Sequence, residues 1–76
     1  MPHISAKIHS GRTLEQKQKF AEAVKQCAVD YLNADAKYVT VSVEDVAPED
    51  WKAVFDRDIH GNPNLIIQPN YVEPNS

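Results

Sequence analysis

The fold is decided by the run Pro2-His3-Ile4-Ser5-Ala6-Lys7-Ile8-His9 at the start of the chain. Apolar residues alternate with polar ones along this run, which is the period of a strand that buries one face. The Ser10-Gly11 pair that follows is a turn signal. We therefore predict a first strand over residues 2–9, whose apolar face must be covered by another element.

A long amphipathic helix is predicted directly after this strand. Thr13 is a suitable N-cap residue, and Gln16 lies three positions later, where its side chain can complete a capping box. The helix is expected to end near Asn33. Apolar residues recur at steps of three and four and should form its buried stripe, in which Cys27 would be a small packed residue: Phe20, Val24, Cys27, Ala28, Tyr31 and Leu32.

A second strand is predicted from Tyr38 to Glu44. Val39, Val41 and Val43 are β-branched and alternate with other residues, as in a strand with one buried face. The connection between the two strands contains a helix, and such a crossover joins parallel neighbours in one sheet. The expected fold class is α/β, with a β-α-β unit at its centre.

A short helix and a short strand are predicted in the last third of the chain. Pro48 suits a first helical turn, and the acidic Glu49 and Asp50 follow it, so we predict a helix from Pro48 to Asp56. After the turn signal at residues 60–64, the segment Leu65-Ile66-Ile67-Gln68 is predicted to be a third strand. The tail over residues 69–76 is expected either to fray or to reach another subunit.

Length and charge restrict the class of protein. The 76 residues are expected to form one domain, 1–76, that buries only about 60% of its unfolded surface. One helix covers one face of a sheet, so we expect a homo-oligomer in which a second copy covers the other face. A net charge of -3 argues against nucleic acid or an anionic membrane as partner. Neither a signal peptide nor a membrane-spanning run is apparent, which favours the cytoplasm.

Pro2 is the first candidate for chemistry. Removal of Met1 would convert the Pro2 nitrogen from an amide into a free secondary amine. An α-amine titrates near ~7.7–8.0, so modest desolvation or a nearby cation can make it a base at neutral pH. While Met1 remains attached, the Pro2 nitrogen has no useful basicity. The three histidines have a spacing that matches no zinc pattern, so no metal site is expected.

Arg12 and Trp51 are candidates for substrate binding. Arg12 follows the Gly11 turn and lies roughly 20–25 Å from Pro2, at the opposite end of the first strand, at ~3.3 Å per residue. One small substrate cannot span that distance, so a symmetric oligomer would have to bring Arg12 of one subunit beside Pro2 of another. Trp51 would supply either core packing or an apolar wall that desolvates the amine.

The order of these features resembles the 4-oxalocrotonate tautomerase family. The resemblance extends from Pro2 to about Tyr71 and is closest to the small, dimeric, PptA-like branch. It implies a β-α-β subunit that acts as an isomerase, needs no cofactor and assembles its active sites from neighbouring chains. The segments that carry it are Pro2-His3-Ile4, Ser10-Gly11-Arg12 with Glu15-Gln16-Lys17, the strand Val39 to Glu44, and Pro48-Glu49-Asp50-Trp51.

The resemblance also implies roles for four residues. Pro2 matches the family's general base, Arg12 matches the arginine that binds a substrate carboxylate, and Trp51 matches a bulky aromatic residue in the wall of the site. Thr40 stands where the hexameric members have a second arginine, so only a hydroxyl is available there. Among small 2-hydroxydienoate and enolpyruvate-type carboxylates, this departure favours a monocarboxylate of the phenylenolpyruvate type over a dicarboxylate. It also favours a homodimer over a hexamer.

Two alternative functions remain open from the sequence. One is a non-catalytic oligomeric binding module of the same fold, which would keep Met1. The other is a family member that hydrates a haloacrylate or decarboxylates a β-keto acid, with a cationic Pro2 and a water-activating carboxylate. Glu44 and Asp45 are the candidates for that carboxylate.

Overall fold

A computed structural model describes residues 1–71 and contains a β-α-β unit followed by a short helical segment. Strand β1 spans His3–His9, helix α1 spans Leu14–Leu32, and strand β2 spans Thr40–Val46. The strands are parallel neighbours, in a register that pairs His3 with Thr40 and His9 with Val46. The predicted α/β class, the long helix and the parallel crossover are therefore confirmed.

Local side-chain contacts fix both ends of α1. The backbone N–H of Gln16 donates to Thr13 Oγ1 at 3.1 Å, and the backbone N–H of Thr13 donates to Gln16 Oε1 at 2.8 Å. This capping box satisfies donors that the first helical turn leaves without partners. At the other end Asn33 adopts a left-handed conformation with φ of 56°, and its N–H donates to Ala28 O. Both predicted ends of the helix are confirmed.

The buried stripe of α1 is narrower than the sequence predicts. Ala28 is buried and Val24 is half-buried, whereas Phe20, Cys27, Tyr31 and Leu32 are exposed. A sheet of two strands is too narrow to cover the whole apolar width of the helix. Cys27 is thus not the packed residue we expected, and it lies on an apolar flank with Phe20 and Tyr31 that a single chain leaves uncovered.

Strand β2 begins two residues later than predicted. The carboxylate of Asp35 accepts a hydrogen bond from the backbone N–H of Lys37 at 3.2 Å, and the N–H of Tyr38 donates to Asp35 O at 2.9 Å. These bonds close a 3₁₀ turn over Ala36–Tyr38. Because Tyr38 is held in that turn, the extended backbone starts only at Thr40.

The segment after β2 covers part of the outer face of the sheet, which is the face opposite α1. It consists of a 3₁₀ turn over Pro48–Asp50, helix α2 over Trp51–Val54 and a π-helical turn over Phe55–Ile59, so it ends three residues beyond the predicted Asp56. Val46 of β2 and Val54 of α2 are both buried. The expectation that only a second copy could cover this face was therefore wrong for the end of the sheet that holds Val46.

The predicted third strand at Leu65-Ile66-Ile67-Gln68 is absent from the described residues, where the sheet contains only β1 and β2. The backbone N–H of Leu65 donates to Asn62 O at 3.2 Å and so forms a turn. Ile66 and Ile67 are 92% and 86% exposed. An apolar run becomes a strand only where a neighbouring strand takes its backbone hydrogen bonds, and within residues 1–71 none lies beside it. The tail prediction for residues 72–76 lies outside the described residues.

The buried core of the described chain is small. Its apolar members are Ala28, Val39, Val46 and Val54, and no large side chain is fully buried among residues 1–71. A chain of this size is expected to need additional burial from a partner. No helix within these residues has both the length and the apolar character that a bilayer crossing requires.

Candidate active site

Pro2 and Thr40 are neighbours at the start of the two strands. The backbone N–H of Thr40 donates to Pro2 O at 3.2 Å, which extends the parallel ladder by one bond before β1 begins. Pro2 is half-buried, whereas Met1 before it is 94% exposed. Removal of Met1 would therefore cost the fold almost no packing.

One of the three histidines, His3, also lies at this end of the sheet. His3 Nδ1 is 2.7 Å from Thr40 Oγ1, and the bond joins the side chains of the two strands. Both residues are exposed. The signal that could have identified this pair is the strand register, because placing His3 opposite Thr40 brings an imidazole and a hydroxyl together on one face.

Arg12 lies beyond the opposite end of β1. The turn before it is made by Gly11, whose φ of 122° is strained for any residue with a side chain. Arg12 Nη1 donates to His9 O at 3.1 Å, and Arg12 is exposed. Within residues 1–71 it forms no ion pair with a carboxylate, so its positive charge is not neutralised there.

Arg12 forms part of the wall of a groove of about 300 Å³ between α1 and the sheet. Apolar walls come from Ile8, Phe20 and Val43, and the second cation of the groove is Lys17. Lys17 Nζ lies 2.9 Å from Asp45 Oδ2, so that charge is already neutralised. The groove thus combines one available positive charge with apolar surface.

Trp51 lies at the same end of β1 as Arg12 but on the outer face of the sheet. Its ring packs edge-on against His9, with 4.7 Å between ring centroids and an angle of 81° between ring planes. It lines a separate depression of about 340 Å³ together with Ser5, Lys7 and Asp58. His9 links the two residues, because its backbone carbonyl accepts from Arg12 and its ring contacts Trp51.

The structure consequently divides the four candidate residues into two pairs. Pro2 and Thr40 lie at one end of β1, and Arg12 and Trp51 lie at the other, where they line separate depressions. The seven residues of β1 separate the pairs by roughly 20–25 Å at ~3.3 Å per residue. One chain does not bring them into a single pocket.

An ion-pair cluster lies between these two ends. Lys7 Nζ on β1 is 3.0 Å from Asp58 Oδ2, and Arg57 Nε is 3.2 Å from Asp58 Oδ1. Hydrogen bonds from Arg57 and from Lys7 hold the pKa of Asp58 below its ordinary value, because both favour the ionised carboxylate. The cluster fastens the π-helical turn to the middle of the strand.

The two carboxylates considered for water activation differ in their surroundings. Asp45 is held by Lys17 on the α1 side of the sheet. Glu44 is exposed and lies opposite Lys7 in the strand register. Both carboxylates lie in the half of the sheet that is nearer to Arg12. No group of three histidine, cysteine or acidic side chains in the described part of the chain is arranged to hold a metal ion.

The sequence of this chain is similar to sequences of proteins described as tautomerases. The model of a family described as tautomerase enzymes matches residues 2–54, a range that includes all four candidate residues. A probable tautomerase of Xylella fastidiosa (strain 9a5c) is 38% identical over 73 residues, which cover 93% of this chain and 89% of the relative. Tautomerase PptA of Klebsiella pneumoniae is 34% identical over 73 residues, which cover 93% and 97% of the two chains.

Solved structures show the same similarity at the level of the fold. TomN, a 4-oxalocrotonate tautomerase homologue in the tomaymycin biosynthetic pathway, superimposes with a TM-score of 0.64 and 30% identity, over 66% of this chain and 77% of that one. N2, a member of the 4-oxalocrotonate tautomerase family, superimposes with a TM-score of 0.60 and 34% identity, over 62% and 73% of the two chains.

Proposed function

The chain belongs to the tautomerase family and is an isomerase of that kind, and from this premise we propose that Pro2, once Met1 is removed, is the general base of a keto-enol tautomerisation. The neutral amine takes a proton from the enol hydroxyl or the activated carbon of the substrate. The electron pair delocalises over the conjugated carboxylate and carbonyl groups, and the proton returns at another carbon. Substrate and product have the same atoms, so the reaction consumes no co-reactant.

The observation that carries the proposal is the arrangement of Arg12. Its guanidinium has no carboxylate partner among the described residues and lies beside an apolar groove. An arginine fork binds a carboxylate through two charge-assisted hydrogen bonds and favours the accumulation of negative charge on the substrate. Arg12 is thus suited to bind the carboxylate of the molecule whose proton Pro2 removes.

The substrate class follows from the charges in the groove. Lys17 is neutralised by Asp45, so Arg12 is the cation left for the ligand. Ile8, Phe20 and Val43 offer apolar surface to the rest of the molecule. This combination favours a small monocarboxylate with an apolar body, such as an enolpyruvate of the phenylenolpyruvate type, over a dicarboxylate 2-hydroxydienoate.

Thr40 is proposed to stabilise the oxygen on which charge develops. Its backbone is bonded to Pro2 O, so its hydroxyl lies on the strand next to the base. A hydroxyl has one proton to donate. It supplies a weaker hydrogen bond than an arginine would, which suits a substrate with one carboxylate rather than two.

The complete site is proposed to form between subunits of a homodimer, with a hexamer as the alternative. Pro2 and Thr40 of one chain would meet Arg12 and Trp51 of another, because the two pairs are too far apart within one chain. The Arg12 charge and burial against Trp51 would both lower the pKa of the Pro2 amine. An amine with a pKa of ~7.8 is about 15% neutral at pH 7, whereas one lowered to ~6.3 is more than ~80% neutral.

The test is ketonisation of phenylenolpyruvate by protein whose intact mass shows that it begins at Pro2. Pro2→Ala should remove most of the activity with an unchanged far-UV spectrum, because it replaces the secondary amine by a primary amine that differs in basicity and shape. A form that retains Met1 is the matched control, because it keeps the proline and blocks its nitrogen as an amide. Full activity in that form would exclude Pro2 as the base and favour a different mechanism or the non-catalytic alternative.

A further inference from the structure

The hydrogen bond between His3 and Thr40 adds the His3 side chain to the candidate site. Neither the alternation along the strands nor the charge of the chain predicts this contact. His3 Nδ1 and Thr40 Oγ1 are 2.7 Å apart, on the residue after the proposed base and on the residue bonded to its carbonyl. A threonine hydroxyl has one proton, which can point toward only one acceptor at a time. The protonation of His3 Nδ1 therefore decides whether Thr40 can donate to a substrate.

Two hydrogen-bond arrangements are possible at this distance. If His3 Nδ1 is unprotonated, it accepts the Thr40 proton, and the hydroxyl has no donor left. If Nδ1 carries a proton, it donates to Thr40 Oγ1, and the hydroxyl proton is free to turn toward another oxygen. The second arrangement also polarises the hydroxyl, because successive hydrogen bonds in a chain strengthen one another.

We propose that His3 is a positioning residue, whose Nδ1–H donates to Thr40 Oγ1 and so directs the Thr40 proton toward the oxyanion of the substrate. This inference rests on the proposed function, since it assumes that Pro2 generates the oxyanion nearby. In this role His3 acts on the reaction only through the Thr40 hydroxyl. It makes a neutral hydroxyl a better donor at the position where a second arginine would otherwise act.

A double-mutant cycle tests this role. His3→Leu and Thr40→Val should each lower kcat by ~3–10-fold with little change in KM, the fold-change that corresponds to one hydrogen bond. The double variant should be no slower than Thr40→Val alone, because His3 acts only through Thr40. Independent losses that multiply in the double variant would overturn the proposal, as would a change confined to KM.

A second variant separates a donor role from simple packing. His3→Asn places an amide N–H near the position of Nδ1 and should return kcat to within ~2-fold of the natural protein. His60→Leu is the matched control, because His60 is exposed and contacts Phe55 instead of either strand end. It should leave kcat unchanged. If His3→Asn is as slow as His3→Leu while both retain their far-UV spectra, His3 is not a donor to Thr40.

Pro2→Ala in the same assay distinguishes the failure of this inference from the failure of the proposed function. If Pro2→Ala is as active as the natural protein, the mechanism itself is wrong, and the proposal for His3 is overturned with it. If Pro2→Ala is inactive and His3→Leu has unchanged kcat, only the proposal for His3 is overturned.

Discussion

The two ends of β1 differ in what they could contribute to a reaction. The Pro2 end has the proposed nitrogen base and a hydroxyl held by His3, and it lines neither the α1 groove nor the Trp51 depression. The Arg12 end has an available cation, an aromatic wall and two depressions of about 300 and 340 Å³. In the proposed function the first end would perform the proton transfer and the second would hold the substrate.

Under the proposed function, this difference implies that activity depends on subunit association. A strand is the most extended form of the chain, so its two ends are as far apart as seven residues allow. Closing a site between them requires the end of one strand to meet the start of another. A two-fold axis achieves this twice with one kind of contact, which produces two equivalent sites.

The largest expected effect is recovery of activity when two inactive chains are combined. Co-expression of a Pro2→Ala chain with an Arg12→Ala chain should restore roughly a quarter of the natural activity. Random pairing makes half of the dimers mixed, and each mixed dimer has one intact site out of two. The measurement is the ketonisation rate per subunit of the whole co-expressed mixture, purified through one tag that both chains carry.

A site contained within one chain predicts the opposite result. Mixed dimers would then have no intact site, and the rate would equal the mean of the two inactive parents. Light scattering at the assay concentration supplies the second check. A mass equal to one 8.6 kDa chain in an active sample would exclude the shared site.

The next largest effect should come from Arg12 alone. Arg12→Ala should lower kcat/KM by about 13–160-fold, which corresponds to ~1.5–3 kcal/mol, since a charge-assisted hydrogen bond to the substrate is lost. Stability should change little, because Arg12 is exposed and its one hydrogen bond within residues 1–71 is to a backbone carbonyl. The measurement is steady-state kinetics combined with a urea unfolding curve.

Lys17→Met is the matched control for Arg12, because it removes the other cation of the same groove. Since Lys17 is already neutralised by Asp45, its loss should change kcat/KM by less than ~3-fold. Equal losses from both substitutions would show that the groove needs general positive charge instead of one arginine fork. A substrate analogue without a carboxylate should be insensitive to either change.

The sequence predicted the β-α-β unit well because its signals are local. Period-2 alternation in β1 and the capping box of Thr13 and Gln16 are both satisfied within the element that they define. The sequence failed where structure depends on a neighbour. Leu65–Ile67 has the composition of a strand but no adjacent strand within residues 1–71, and Phe20 and Tyr31 fit the helical stripe but extend beyond the narrow sheet.

The candidate site was predictable in part for the same reason. Strand length alone separates Pro2 from Arg12, and the structure retains that separation. The contact of Trp51 with His9 and the bond between His3 and Thr40 depend on how the second half of the chain returns to β1. Neither follows from spacing, because each joins residues at least 37 positions apart.

The smallest expected effect concerns the middle of β1, where Lys7 and Asp58 fasten the π-helical turn to the strand. The pKa of Asp58 is lowered in the folded chain by Arg57 and Lys7, relative to an unfolded value near ~3.9. A lowered pKa means that the ionised carboxylate stabilises the fold above the unfolded value, and that this contribution disappears as the pH falls through the folded value. Asp58→Asn should therefore be less stable than the natural protein at pH 7, and the difference should shrink between about pH 5 and pH 2.

Trp51 is the only tryptophan, so urea unfolding followed by its fluorescence reports on the attached segment directly. Asp56→Asn is the matched control, because Asp56 forms its ion pair with Lys52 inside the helical segment and not with β1. Its effect at pH 7 should be at most ~0.5 kcal/mol. The stability difference between Asp58→Asn and the natural protein could also be as large at pH 2 as at pH 7. That result would show that Asp58 acts through packing, and that its ion pair with Lys7 does not hold the helical segment against β1.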